Sequence, residues 1–230
     1  MENSAVNGKK IAAGKAIGYI KNGMTLGLGT GSTAYWAIQG IGAMVKEGLS
    51  VRAVATSVQS DELARELGIP MVPFSEVDKI DITIDGADEV DRDLNLIKGG
   101  GGALLREKIV AAATKFYIII VDESKIVEYL GKFPLPVEVA PFAWELTERQ
   151  LRALGCEPKM RMTADGKAYL TDNHHYILDC GFGKIVDPAD LHQKVSGITG
   201  VMEDGFFIGM ADIVVAGSPE GATRIIERKR

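Results

Sequence analysis

Residues 24–34 read Met24-Thr25-Leu26-Gly27-Leu28-Gly29-Thr30-Gly31-Ser32-Thr33-Ala34. A short apolar run passes into a glycine-rich turn with three hydroxyls, then into a helical spacing that continues to Val45. An apolar strand that breaks at glycine and enters a helix directly is half of a βαβ unit. The order recurs. Residues 51–55 form a second apolar strand, followed by Thr56-Ser57 and a helix through 60–67. Residues 80–84 form another, which breaks at Asp85-Gly86-Ala87-Asp88. Glycines 99–102 open a predicted helix over 103–114. Residues 116–121 follow as a bare apolar run, the mark of a strand covered on both faces of a parallel sheet. Upstream, 9–20 reads as an amphipathic helix closed by Asn22-Gly23, and Met71-Val72-Pro73 as a short extra strand. The pattern predicts an α/β fold with a doubly wound, mostly parallel, Rossmann-like sheet whose ligands bind at the turns after its strands.

The character changes near Phe133-Pro134-Leu135-Pro136. Strands are expected at 137–139, 159–162, 169–171 and 176–180, helices at 144–154 and 188–195, and a hairpin turn at Asp165-Gly166-Lys167. This reads as a smaller inserted α+β domain over 133–206. Residues 206–210 and 213–215 regain the apolar strand character of the first half, so 1–132 and 207–230 are expected to form the larger domain.

The 230 residues suffice for one large core with a satellite domain. A net charge of -5 argues against a protein whose main task is holding nucleic acid or an anionic membrane. Cys156 and Cys180 form no CxxC pair and fit a reduced, cytoplasmic setting. No basic leader precedes an apolar run, and the longest apolar run is too short to span a bilayer.

Three segments carry chemistry. In the first, Thr30-Gly31-Ser32-Thr33, glycines let a ligand approach the backbone while hydroxyls and a helix N-terminus offer donors for phosphate oxygens. One hydroxyl would suffice to cap the helix. The segment also fits the GxGxxA dinucleotide form, yet the second strand ends in Thr56-Ser57 where that pattern wants an acid. The second segment, Asp85-Gly86-Ala87-Asp88-Glu89-Val90-Asp91, crowds carboxylates that need compensation by cation, metal or substrate hydroxyls. Its spacing does not fit a calcium loop. The third, Lys98-Gly99-Gly100-Gly101-Gly102, runs straight into a helix carrying Glu107, which suits backbone N–H groups converging on a ligand beside a cation. Without GK[ST] it is no Walker loop. Lys125 ends a buried strand at the same rim of the sheet. His174-His175 is expected in a strand, the two rings on opposite faces and so sharing no metal, and His192 on a helix surface.

As an ordered set these segments resemble the A-type ribose-5-phosphate isomerases. The likeness runs through residues 27–34, Thr56-Ser57, 85–89, 98–101 with Arg106-Glu107-Lys108, and Asp122-Glu123-Ser124-Lys125. It continues through Thr171-Asp172-Asn173, Gly197, Gly205-Phe206-Phe207 and Gly209-Met210-Ala211-Asp212. The resemblance implies interconversion of ribose 5-phosphate and ribulose 5-phosphate in the non-oxidative pentose phosphate pathway, with no metal or organic cofactor, in a homodimer or homotetramer joined through the smaller domain. It implies Glu107 as general base, and a substrate site of Thr30, Gly31, Ser32, Thr33, Asp85, Gly86, Ala87, Asp88, Lys98, Gly99, Gly100, Gly101 and Lys125. His174-His175 replace smaller or more varied residues of the family's motif.

Aldose–ketose exchange needs a carboxylate that moves a proton between neighbouring carbons, and Glu107 suits that. Lys98 and the glycine loop suit an enediolate oxygen. Asp85 or Asp88 suits proton movement on sugar hydroxyls, and which groups hold phosphate stays open. A phosphosugar sensor and a coenzyme A transferase are the rival readings. The first would be expected to carry a DNA-binding module, the second a pantetheine site.

Overall fold

A computed structural model describes residues 2–228. Its elements in chain order are α1 (Glu2–Ile17), β1 (Thr25–Leu28), α2 (Ala34–Lys46), β2 (Arg52–Ala55), α3 (Val58–Glu66), β3 (Ile82–Gly86), β4 (Glu89–Val90), β5 (Leu96–Ile97) and α4 (Leu104–Ala112). There follow β6 (Tyr117–Asp122), β7 (Leu135–Val139), α5 (Trp144–Ala153), β8 (Glu157–Met160), β9 (Tyr176–Gly181), α6 (Pro188–Ser196), β10 (Val201–Asp204), β11 (Phe206–Phe207), β12 (Ile213–Gly217) and β13 (Thr223–Glu227). The described residues divide into two compact units. The first holds the chain up to Ala87, Arg106–Ile126 and the chain from Met210; the second holds Asp88–Leu105 and Val127–Gly209.

In the first unit six strands lie in the order β13-β12-β6-β3-β1-β2. All pairings are parallel except that of β12 with β13. β6 is buried at every position, which suits its run of β-branched isoleucines. On α2 the buried residues Ala34, Ala37, Ile38, Ile41 and Gly42 recur at helical spacing, giving one apolar face. α3 is capped by Ser57, whose hydroxyl accepts the Ser60 N–H. Leu26, Leu28, Ile84, Ile118, Ile120 and Val215 from the sheet join Ala12, Ala16, Ile38 and Ile41 from the helices in one core. Each large aliphatic buried there contributes about 1.5–3 kcal/mol. The chain leaves β1 toward β2 on one side and leaves β3 toward β6 on the other. The ends of β1 and β3 therefore flank the switch point where α/β sheets take ligands.

The second unit contains an antiparallel sheet in the order β10-β7-β9-β8 and a smaller one, β11-β5-β4. Its core joins Leu135, Val137 and Val139 of β7 to Leu151 of α5, Leu178 of β9 and Val195 of α6. Asp187 caps α6 by accepting the Asp190 N–H, with proline at the first turn. Gly166 sits at φ 79°, and Thr163 N–H donates to Lys167 O across that turn, the hairpin chemistry expected there.

Several elements differ from expectation. Residues 71–73 supply a single bridge, Met71 to Ala53, because Pro73 has no N–H to extend a ladder. Residues 169–171 form no strand. Residues 206–210 do not join the large sheet as a group: β11 pairs with β5, and only β12 returns to β6. Gly205 fixes that choice: its N–H donates to Pro136 O and its carbonyl accepts from Lys98 N. The division between units accordingly differs from the boundaries at 132/133 and 206/207, since residues 88–105 carry β4 and β5 and group with the second unit.

Candidate active site

In the first unit, Gly29 N–H donates to Ile84 O at 3.0 Å and draws the turn after β1 against the end of β3. There Asp85 is fully buried. Its Oδ1 accepts from the N–H groups of Thr30 (3.1 Å) and Gly86 (2.7 Å), and its Oδ2 from the Tyr117 hydroxyl at 3.2 Å. These donors replace the hydration that a buried carboxylate loses. Glycine is required at position 29, because a Cβ would stand 2.1 Å from Asp85 Oδ1 and 2.6 Å from its Cα. Burial, then the negative charges of Asp85 and Glu107, push the Tyr117 phenol well above its ordinary range, so it remains a donor at neutral pH. Glu107 itself lies in the first turn of α4 and is 4% exposed.

The three hydroxyls of the first turn have different neighbours. Thr30 Oγ1 faces inward, 2.7 Å from Thr56 Oγ1, and donates to Ser57 Oγ at 2.8 Å. Thr56 and Ser57, where a dinucleotide site wants an acid, thus belong to an internal hydroxyl cluster. Ser32 is exposed, and Lys9 Nζ donates to its Oγ at 2.9 Å. Thr33 occupies the cap position of α2 without a side-chain capping bond, so helix capping does not explain this loop. Lys9, Gly31 and Ser32 line a cleft of about 590 Å³ walled also by Tyr35, Trp36 and Leu63. Lys125 is half-buried in the single turn after β6, where Asp122 accepts the Ser124 N–H. Sequence reasoning missed Lys9. It is one of several lysines on α1, and only tertiary packing brings it to a loop 23 positions away.

In the second unit, Asp88 Oδ2 accepts the Gly100 N–H at 2.7 Å. The glycine run is a built loop. Gly99 and Gly102 sit at φ 108° and 80°, and a Cβ on Gly102 would stand 2.3 Å from Tyr169 Oη. Lys98 is 2% exposed, its ammonium 5.3 Å from the centre of the Phe207 ring, a cation–π contact. The crowded acidic segment is also accounted for here. Glu89 accepts the N–H groups of Gly131 and Phe133, each at 2.7 Å, and Asp91 those of Asp93 and Asn95. Main-chain donors thus stabilise all four carboxylates of the segment, and among the described residues Asp85 alone of them also accepts from a tyrosine hydroxyl.

His174 and His175 occupy a turn instead of the expected strand. His174 sits at φ 61°, and His175 Nδ1 lies 2.9 Å from Oε1 of buried Glu138, which also accepts from Thr171 and Asn173. His192 is more than helix surface, since its Nδ1 lies 2.8 Å from Oδ2 of buried Asp204. Cys156 and Cys180 are free and buried. Among the described residues no helix is long and apolar enough to cross a membrane.

The family model for ribose 5-phosphate isomerase A (phosphoriboisomerase A) matches residues 52–221. A protein of Bacillus mycoides named ribose-5-phosphate isomerase A is 52% identical over 217 residues, covering 94% of this chain and 98% of that one. A solved ribose 5-phosphate isomerase from Plasmodium falciparum superposes with a TM-score of 0.93 at 38% identity, covering 96% and 98% of the two chains. A D-ribose-5-phosphate isomerase solved in complex with phospho-erythronic acid gives 0.92 at 42% identity, covering 96% and 97%. Fold and relatives define an aldose–ketose isomerase. The chain belongs to the ribose 5-phosphate isomerase A family.

Proposed function

We propose that the chain interconverts D-ribose 5-phosphate and D-ribulose 5-phosphate through an enediolate, with Glu107 as the base. The observation that carries this reading is the 52% identity to a relative of that name across 94% of the chain. Glu107 removes the proton from C2 of the open-chain aldose and returns it to C1 while the O2 hydroxyl proton passes to O1, so the carbonyl moves from C1 to C2 with no net gain or loss of atoms. Its burial in the first turn of α4 supports that role. Lys98 and the N–H groups of Gly99, Gly100 and Gly101 stabilise the oxyanion. Asp85, with Gly86 and Ala87 beside it, and Asp88 handle the sugar hydroxyls. Ser32, Thr33 and Gly31 take the phosphate with Lys9, and Thr30 contributes its N–H by way of Asp85. Lys125 is a further cation for the substrate.

The reaction as written uses no metal or organic cofactor. We place it in the cytoplasm, which suits two free cysteines, and in a homodimer or homotetramer, as the family resemblance implies. No observation favours a non-catalytic sensor or a coenzyme A transferase.

The test is conversion of ribose 5-phosphate by the purified chain in EDTA, wild type against Glu107→Gln, with phospho-erythronic acid as a competitive inhibitor. Turnover that survives EDTA and falls at least about 10³-fold in the variant supports the reading. Unchanged turnover in the variant moves the base elsewhere, and no turnover in the wild type sinks the enzyme reading.

A further inference from the structure

We infer that Arg161 is a positioning residue for the reaction: its guanidinium clamps the glycine loop and, through one peptide plane, aims Asp88. The inference rests on the proposed function. It starts from an arginine whose sequence context carries no catalytic signal. Arg161 Nη1 donates to Gly99 O at 2.8 Å and to Gly100 O at 3.3 Å. Its other edge is held by Asp179, with Nε donating to Oδ2 at 3.0 Å and Nη2 to Oδ1. Its charge also lies 6.0 Å from the centre of the Tyr169 ring, and Tyr169 packs where Gly102 has no side chain. Side-chain exposure is 15% for Arg161 and 26% for Asp179. A doubly bonded, stacked guanidinium is a fixed fork, a geometry that lysine does not reproduce.

The consequence follows from peptide planarity. The bond from Gly99 to Gly100 is trans, so the Gly99 carbonyl and the Gly100 N–H point in opposite directions from one rigid plane. Arg161 holds the carbonyl edge, while the N–H edge donates to Asp88 Oδ2 at 2.7 Å. Cation, peptide and carboxylate form one polarised chain, in which the cation strengthens the donor that orients Asp88. The next plane is held likewise. With the Gly100 carbonyl drawn to Arg161, planarity turns the Gly101 N–H away from that cation. Four consecutive glycines would otherwise sample many conformations. The clamp selects one and replaces the rigidity that their sequence lacks.

The experiment compares the wild type with Arg161→Met, Arg161→Lys and Asp179→Asn. It measures kcat and KM per folded molecule for ribose 5-phosphate, and amide exchange of Gly100 and Gly101 by NMR. In Arg161→Met, kcat is expected to fall about 10²-fold with KM changed by less than about threefold, the signature of misplaced groups. Arg161→Lys and Asp179→Asn are expected to fall in between, and Gly100 exchange to quicken in step with the loss of kcat. If Arg161→Met does not fold, the other two variants carry the test on the same criteria. Wild-type kcat per folded molecule, or a rise in KM alone, overturns the inference. So does a loss of kcat with unchanged Gly100 exchange. The two readings fail separately: an inactive wild type sinks the proposed reaction, whereas an active wild type with indifferent variants sinks only the clamp.

Discussion

The hydroxyl of Tyr117 donates to Oδ2 of Asp85 across 3.2 Å, joining two adjacent parallel strands by a side-chain bond within the buried sheet. Both residues are almost fully buried. Removing the hydroxyl leaves the carboxylate its two main-chain donors. Tyr117→Phe is therefore expected to fold, to lose about 1–3 kcal/mol in urea unfolding, and to turn over several-fold more slowly. Unchanged stability and kcat together would show that this bond contributes nothing.

The same phenol sets a pH dependence. Its ordinary value is 10.0, and in the folded chain it lies well above that. Between the two values the folded chain keeps a proton that the unfolded chain releases, so stability falls as pH rises beyond about 10. The stability difference between wild type and Tyr117→Phe is expected to stay level up to about pH 9 and to shrink above it. A difference that grows with alkalinity would reverse the sign and contradict the burial of a neutral phenol.

Two glycines predict opposite outcomes. Gly29→Ala would drive a Cβ into Asp85, including its backbone, and is expected to cost about 1–3 kcal/mol or more and to abolish most turnover. Gly14 is exposed in α1, and a Cβ there would meet nothing within 4 Å. Gly14→Ala is therefore expected to stabilise the chain by about 0.5–1 kcal/mol with activity intact. Thermal melts of the two variants, run beside turnover assays, check both.

Lys9 offers the sharpest test of where phosphate is held. Lys9→Met is expected to raise KM for ribose 5-phosphate about 10-fold or more, with a smaller change in kcat, because a charge-assisted bond far from the reacting carbons contributes mainly uniform binding. The effect should weaken at high salt. An unchanged KM would move the phosphate to Lys125 or another cation.

The alternation of strand, glycine turn and helix in residues 24–121 is legible because local patterning and burial agree there. β6 has no polar residue before Asp122 apart from the Tyr117 hydroxyl, and its position in the sheet leaves little room for one. The two-residue strands β4 and β5 are not legible, since so short a strand has no period; β11 shows as a strand, but not its pairing with β5 over a hundred residues away. Asp85, Asp88, Lys98 and Glu107 stand out through their motifs. Which donors hold each of Asp85, Asp88, Glu89 and Asp91 is a property of tertiary structure that their clustering in sequence does not reveal. Lys9 and Arg161 carry no local signal at all, because each acts on a loop that the chain reaches only by folding.

The pose of Asp85 is secured by the N–H groups of Thr30 and Gly86, donors that belong to the main chain. Randomising the side chain at either position, proline aside, leaves the donor itself in place. Laboratory evolution toward a different sugar would thus find this carboxylate hard to re-aim by exchanging its nearest neighbours. The variation open to it lies in residues such as Tyr117 and Lys9, whose contributions are made by side chains and are therefore heritable one codon at a time.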